Sequence, residues 1–485
     1  MKILSNIIKS SLFIALLATS ACNKLTEFED LNVSPNNPSQ PNSASLLTNA
    51  MLSVGTLSSS DYNYYPIGSL YTQQFADVTY IEESRYKTVN WDYNYLYTGP
   101  LNSLNFVIKL NTDEATKVAA AANGSNANQI AVARILKAFF YLNITDRWGD
   151  VPYSQSLKGK EAFSPVFDTQ QAIYTDLFKE LKEAQGQFDG GEGVKSDVIL
   201  HGDNAHWKKF ANSLRLVMAL RLSKAEAAKG KAEFIAALAD GVFTSNDDNV
   251  TFQYLKDANY ESPLYTNYVT GNRKDFAVSS TLIDYLKKTN DPRIAAFADK
   301  ATATLTYEGV PYGVFPPTWA SQDVSLASTN VSAQDATVNV LTYAQILFSR
   351  AEATKLGWIA GNTKQLYEDA IKASMEQWHV FTTDEDFANF LKSVNIAYTD
   401  AKALELIGTQ KWVALFYQGY ESWAEWRRTG FPVLTPAAKP LNTSGKIPRR
   451  MAYPTSESTL NKKNYDEAVK RQGADVQETR VWWDK

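Results

Sequence analysis

Gln410 to Leu434 reads QKWVALFYQGYESWAEWRRTGFPVL. With Leu406 just upstream, Val413, Phe416, Tyr417 and Tyr420 recur at helical spacing, so the stretch predicts a helix with one apolar face. Trp412, Trp423, Trp426, Arg427 and Arg428 fall on the same pattern. Aromatic and arginine side chains at such spacing point to core packing and buried ion pairing rather than to ligand contact. Glu421 and Glu425 are four apart, hence on one face, and glycosidases use two carboxylates ~5–10 Å apart. Arg427 and Arg428 follow immediately, which favours ion-paired structural carboxylates over a catalytic acid and base.

Working outward, the same periodicity recurs. Val132, Ile135, Leu136, Phe139 and Leu142 form one stripe, and Trp207, Phe210, Leu214 and Val217 another. Val340, Tyr343, Ala344, Leu347 and Ala351 form a third. The expected fold class is mainly α. Tyr343 to Trp378 resembles one tetratricopeptide repeat, a helix hairpin in which Ala351, Gly357 and Ala370 allow close packing. Helices at 129–147 with 168–188, and at 204–227 with 231–242, read as degenerate copies, so the helix pairs occupy about 129–242 and 338–428. In Asp146-Arg147-Trp148-Gly149-Asp150, Gly149 can end a helix. Long segments rich in Tyr, Thr, Asn, Gly and Pro, chiefly 60–100 and 245–335, lie between the helices. A scaffold does not need loops of that length, so they read as functional surface.

The chain has 485 residues, 48 Lys+Arg against 52 Asp+Glu, and one cysteine. No basic surplus exists to neutralise phosphates, which argues against a nucleic-acid binder. Cys22 alone excludes an intramolecular disulfide framework and any multi-cysteine metal site. Lys2 and Lys9 precede an uncharged stretch, Ser10 to Asn23, that holds the apolar run Leu12 to Leu17. Such a stretch is shorter than the ~20 residues a membrane span needs and suits a signal peptide. Thr19-Ser20-Ala21-Cys22 resembles a bacterial lipobox, with Thr19 in place of the usual Leu. Residues 1–21 are therefore expected to be a lipoprotein signal peptide, with Cys22 the lipidated residue. Residues 22–45, rich in Pro, Asn and Ser, read as a tether that cannot bury enough surface to fold by itself. The folded domain is expected over 46–485.

Familiar catalytic motifs are missing. No G-x-x-x-x-G-K-[ST], G-x-S-x-G or H-E-x-x-H occurs, and the histidines are His201, His206 and His379. His201 and His206, near Asp203 and Trp207, read as a capping segment with a packed ring, because a zinc site needs three or four converging ligands. His379 ends a helix, and Asp247-Asp248-Asn249 reads as a polar turn. No cofactor and no metal are expected.

Several segments then combine. Besides Gln410–Leu434 they are Arg134 to Tyr153 (RILKAFFYLNITDRWGDVPY), Ile447 to Val469 (IPRRMAYPTSESTLNKKNYDEAV) and the terminal Arg480-Val481-Trp482-Trp483-Asp484. Asn272 to Phe276, Asn290 to Arg293, and Trp91, Tyr97 and Asn105 add to them. In number and order these resemble the SusD/RagB family of outer-membrane lipoproteins over nearly the whole mature chain. The resemblance implies a largely α-helical fold whose tetratricopeptide-like helix pairs support a loop-rich ligand face. It also implies a non-enzymatic nutrient-binding protein at the cell surface. Such a protein captures a glycan, or in some relatives a peptide, and delivers it to a SusC-like TonB-dependent transporter.

The recognisable motifs are mostly scaffold, so ligand contacts are sought in the loops. An aromatic ring stacks on the apolar face of a pyranose while amides, carboxylates or arginines bond the hydroxyls. Three segments interleave such residues: Asp61 to Tyr65 (Tyr64 and Tyr65) with Asp77, Tyr80 and Arg85; Tyr260 to Tyr268 (Tyr265, Asn267, Tyr268) with Arg273; and Tyr307 to Tyr312 continuing to Trp319. Trp319 is the leading candidate, because it follows Pro316-Pro317 in a stretch with no helical stripe to bury it. Peptide capture on the same scaffold, a glycoside hydrolase with a carboxylate pair that only the fold brings together, and a helical adaptor without a small ligand stay open at this point.

Overall fold

The computed structural model describes residues 41–60 and 65–485. Cys22, the leader, nearly all of the tether, and Tyr64 lie outside the described residues. The packed body runs from Ser43 to Lys485, and its first helix, α1 (Ser43–Ser59), begins within the stretch read as tether. Leu47, Met51, Val54 and Leu57 on α1 are buried, which explains why the chain is ordered there.

The scaffold is built from helix hairpins. The expected pairs are α3 (Asn126–Trp148) with α4 (Gln170–Gln187), α5 (Asn204–Arg221) with α6 (Ala227–Asp240), and α8 (Tyr343–Lys355) with α9 (Thr363–Gln377). Each pair packs together in space, and α2 (Asn102–Thr112) packs on α3. The remaining long helices are α7 (Ser280–Thr289), α10 (Ala403–Ala414), α11 (Gly419–Thr429) and α12 (Lys462–Gln472). Their starts follow the capping rule: the side chains of Thr169, Asp203, Thr342 and Asn362 accept backbone N–H groups at the first turns of α4, α5, α8 and α9. Helix α3 is buried on nearly every side, as expected of a central helix. It stops at Gly149, whose φ is +85° and where a Cβ would lie 1.8 Å from Oε1 of Gln472, so only glycine fits.

Two expectations change in detail. Val340 belongs not to the third helix but to a strand, because Thr337 to Leu341 is extended and pairs with Val250 to Gln253 before the Thr342 cap starts α8. The stripe through Leu406 and Tyr420 is two helices, since the chain breaks between Ala414 and Gly419 and Tyr417 adopts a φ of +64°. Val413, Phe416, Tyr417 and Tyr420 are buried in one core cluster on both sides of the break, which is why periodicity alone joins them.

The described residues also form six short strands that the periodicity does not announce. They form three antiparallel ribbons: β1 (Phe75–Asp77) with β5 (Phe276–Val278), β2 (Val151–Pro152) with β3 (Phe167–Asp168), and β4 (Val250–Gln253) with β6 (Thr337–Leu341). Strands of two to five residues carry too little alternation to read from sequence.

The Gln410–Arg428 part of Gln410–Leu434 is the buried keystone. Arg428 forks onto Glu352 at 2.5 and 2.6 Å and reaches Glu425 at 2.7 Å; Lys411 meets Glu425 at 2.7 Å. Arg221 bridges Asp146 and Glu421. Arg427 lies 3.8 Å from the Trp423 ring and 4.7 Å from Trp483, and donates to the carbonyls of Asp146 and Arg449. Both carboxylates of the Glu421/Glu425 pair are thus engaged by cations, Glu425 by the adjacent Arg428 as expected and Glu421 by Arg221 from α5 rather than by an arginine that follows it. Burial would raise the Glu425 carboxyl, but Arg428 and Lys411 outweigh it and hold it below the usual range.

Candidate functional site

The described parts of the three nominated segments, as much as 254 residues apart from Tyr65 to Trp319, converge on the β1–β5 ribbon. Ala76 pairs with Ala277 at its centre, and the 307–326 segment is stitched along β5: Val310 N–H donates to Val278 O at 3.0 Å, and Val278 N–H to Ser325 O at 3.0 Å. Gly309 passes so close that a Cβ would lie 2.4 Å from Cα of Ser280. A small apolar cluster of Ala76, Val78, Ala277, Val310 and Val324 fastens the segments, with Tyr312, Trp319 and Leu326 packed on it.

The nominated residues divide into frame and surface. Asp77 is frame: it is buried, its Oδ2 accepts the Ser84 N–H at 2.7 Å, and burial pushes its carboxyl well above the usual range. Tyr268 is buried and donates its hydroxyl to Phe276 O at 2.8 Å. Asn267 is fully used on Asp275, donating from Nδ2 at 2.8 Å and accepting the Asp275 N–H at 2.9 Å. These three were nominated because rings, amides and acids alternate in their loops; their polar atoms hold the loops together instead. Tyr312 is mixed, its hydroxyl buried beside Tyr86 and its ring half-buried.

Other nominees remain accessible. Tyr80 is 55% exposed, with the Arg273 guanidinium 5.5 Å from its ring centre and Arg273 held by Asp275 at 2.6 Å. Tyr65 is half-buried, edge-on to Phe276 at 5.2 Å and to Trp91 at 5.6 Å. Arg85 donates to Lys439 O at 2.7 Å and lies 4.6 Å from the ring centre of the exposed Phe315. Trp319 is half-buried, and its Nε1 is enclosed without a hydrogen-bond partner. Tyr307 is half-buried with Lys300 5.9 Å from its ring centre, and Tyr265 is half-buried in the 263–268 turn. The result is an uneven face of rings and two arginines on a braced ribbon. Such an array can stack on the C–H faces of sugars and donate to their hydroxyls.

Trp91 and Phe315 were missed as contacts. The signal for Trp91 was present in Asn90-Trp91-Asp92-Tyr93-Asn94, where rings alternate with amides and an acid. Phe315 adjoins the Pro316-Pro317 pair already used to single out Trp319.

Elsewhere the side chains favour structure over chemistry. His206 Nε2 lies 2.8 Å from Asp248 O and its ring packs edge-on to Phe243, while Asp203 caps α5. Asp248 is held by Lys209 at 2.7 Å and by the Thr244 N–H at 2.6 Å. Among the described residues no group of three or more His, Cys, Asp or Glu could hold a metal ion, and no helix is long and apolar enough to cross a membrane. An open groove of about 630 Å³ between the β4–β6 ribbon and the end of α9 is lined by amides and hydroxyls together with Asp247, Asp335, Glu376 and His379. Its one tryptophan, Trp378, is packed edge-on to Phe297 and Phe416.

Comparison with known proteins agrees with this architecture. A family model described as SusD-like, starch-binding and associating with the outer membrane matches residues 35–454. A solved chitin-binding protein is 30% identical, with a TM-score of 0.80 over 92% of this chain and 100% of its own. A chitin-binding SusD homolog from Flavobacterium johnsoniae is 25% identical, with a TM-score of 0.78 over 91% of this chain and 98% of its own. A SusD homolog from Bacteroides fragilis is 26% identical, with a TM-score of 0.79 over 92% and 100%. No curated protein sequence matches. With a family model spanning most of its length and the same helical architecture in its structural neighbours, this chain belongs to the SusD-like family.

Proposed function

We propose that this protein is a non-catalytic glycan receptor. It is a lipoprotein anchored through Cys22 at the outer membrane and facing outward. It binds oligosaccharide or polysaccharide on the β1–β5 face and passes it to a SusC-like TonB-dependent transporter. The observation that carries the reading is the convergence of Tyr65, Tyr80, Arg85, Arg273, Phe315 and Trp319 from three distant loops onto one braced surface. Two structural neighbours named as chitin-binding make chitin the first polymer to test. The cation-paired state of Glu421 and Glu425, the carboxylate pair singled out in the sequence, supports binding without turnover.

Native affinity electrophoresis through gels containing soluble chitin derivatives, starch and plant or fungal polysaccharides, followed by analysis for breakdown products, tests this. Retardation by one polymer without breakdown is expected. Breakdown products that disappear when one carboxylate is changed would replace the receptor with a hydrolase. No retardation together with retardation by peptides would move the cargo to peptide.

A further inference from the structure

Phe163 is 84% exposed and Leu460 80% exposed, among the most exposed large apolar side chains of the described residues. Two such groups at one cavity offer apolar surface that a ligand in it could cover. They flank a half-open pocket of about 250 Å³ between the 152–165 segment and the short helix Thr455–Leu460. Tyr93 and Tyr97 supply aromatic wall, and Ser456 and Glu457 supply polar groups.

The polar groups have capacity left. The Glu457 carboxylate accepts the Tyr93 hydroxyl at 2.8 Å and the Asn461 amide at 3.3 Å. A carboxylate offers about four lone-pair positions, so acceptor sites remain. The Ser456 Oγ is enclosed and has no partner. Aromatic and aliphatic walls with one spare acceptor and one spare hydroxyl match a pyranose residue, whose ring offers C–H faces and whose hydroxyls both donate and accept. The pocket is also close to the β1–β5 face. Trp91, which contacts Tyr65, is three residues from Asn94 at the pocket, and three residues span at most about 11 Å.

We propose that this pocket is a second sugar-binding site, taking one pyranose residue of the polymer that lies across the β1–β5 face; it rests on the glycan reading above. One oligosaccharide then bridges both sites, and affinity rises with chain length until the pocket is filled.

The test is calorimetric titration of the full-length protein with chito-, malto-, cello- and xylo-oligosaccharides of increasing length. The variants are Phe163→Ala with Leu460→Ala, and separately Glu457→Gln. The expected result is a gain in affinity with length in the wild type for one series, reduced about fivefold to tenfold in the Phe163/Leu460 variant for long ligands only. Glu457→Gln is expected to weaken long-ligand binding in the same way with short-ligand binding unchanged. Equal binding of wild type and variants at every length overturns the pocket and leaves the glycan reading intact. Loss of transporter association with sugar binding unchanged also overturns it, because the pocket then takes a protein side chain. Binding of no series by the wild type overturns both.

Discussion

Arg428 shows what single residues contribute here. Its guanidinium is buried and neutralised by Glu352 and Glu425 together. Removing one partner leaves buried charge that neither water nor protein compensates, so Glu352→Ala is expected to cost about 3–5 kcal/mol in denaturant unfolding. Asp77 makes the opposite case. Burial raises its carboxyl, Ser84 supplies its hydrogen bonds, and Oδ1 is enclosed without a partner. A raised folded pKa means that its contribution is present below the unfolded value, ~3.9, and is lost as pH rises through the folded pKa. Asp77→Asn keeps the acceptor for Ser84 without the charge. Its melting temperature is expected to exceed that of the wild type at pH 7–8, with the gap closing toward pH 4. A gap that is constant across this range would show that the Asp77 carboxyl ionises alike in the folded and unfolded chain, contradicting a raised folded pKa.

Among elements, the close crossing between the short helix Ile67–Tyr71 and the start of α11 brings backbone directly against backbone. A Cβ on Gly68 would lie 2.3 Å from the Gly419 carbonyl carbon, and one on Gly419 would lie 2.5 Å from the Ser69 nitrogen. The obstacles are backbone, so Gly419→Ala must separate the two elements and is expected to cost about 1–3 kcal/mol. The helices were legible in sequence because apolar spacing and capping residues agree, as in α3 and α5. The two-helix break near Tyr417 was not, since a turn with residues of one core cluster on both sides leaves no mark on periodicity. The ribbons were hidden for a related reason: β1 and β5 are three residues each and buried on both faces, so they show no alternation. Composition located the loops that form the candidate face. It could not tell Tyr80, which stays exposed, from Tyr268, whose hydroxyl is spent on Phe276 O, because that difference depends on ribbon register.

At the scale of the whole molecule, a rigid helical body carries an irregular ring-bearing face on a short ribbon. Its most recognisable sequence is the buried keystone, while the proposed ligand face is assembled from loops. Stability and binding should therefore separate. Tyr80→Ala removes an exposed ring and is expected to leave the melting temperature unchanged, whereas Trp319→Ala, which also strips a side chain from the Ala76–Val310 cluster, is expected to lower both stability and affinity. The most direct test of the receptor account is calorimetric titration of wild type and Tyr80→Ala with the oligosaccharide of whichever polymer retards the protein. The account predicts saturable binding without product, weakened about tenfold in the variant, equivalent to ~1.4 kcal/mol, at unchanged melting temperature. Equal affinity in the two proteins, or accumulation of shorter sugars during the titration, would contradict it.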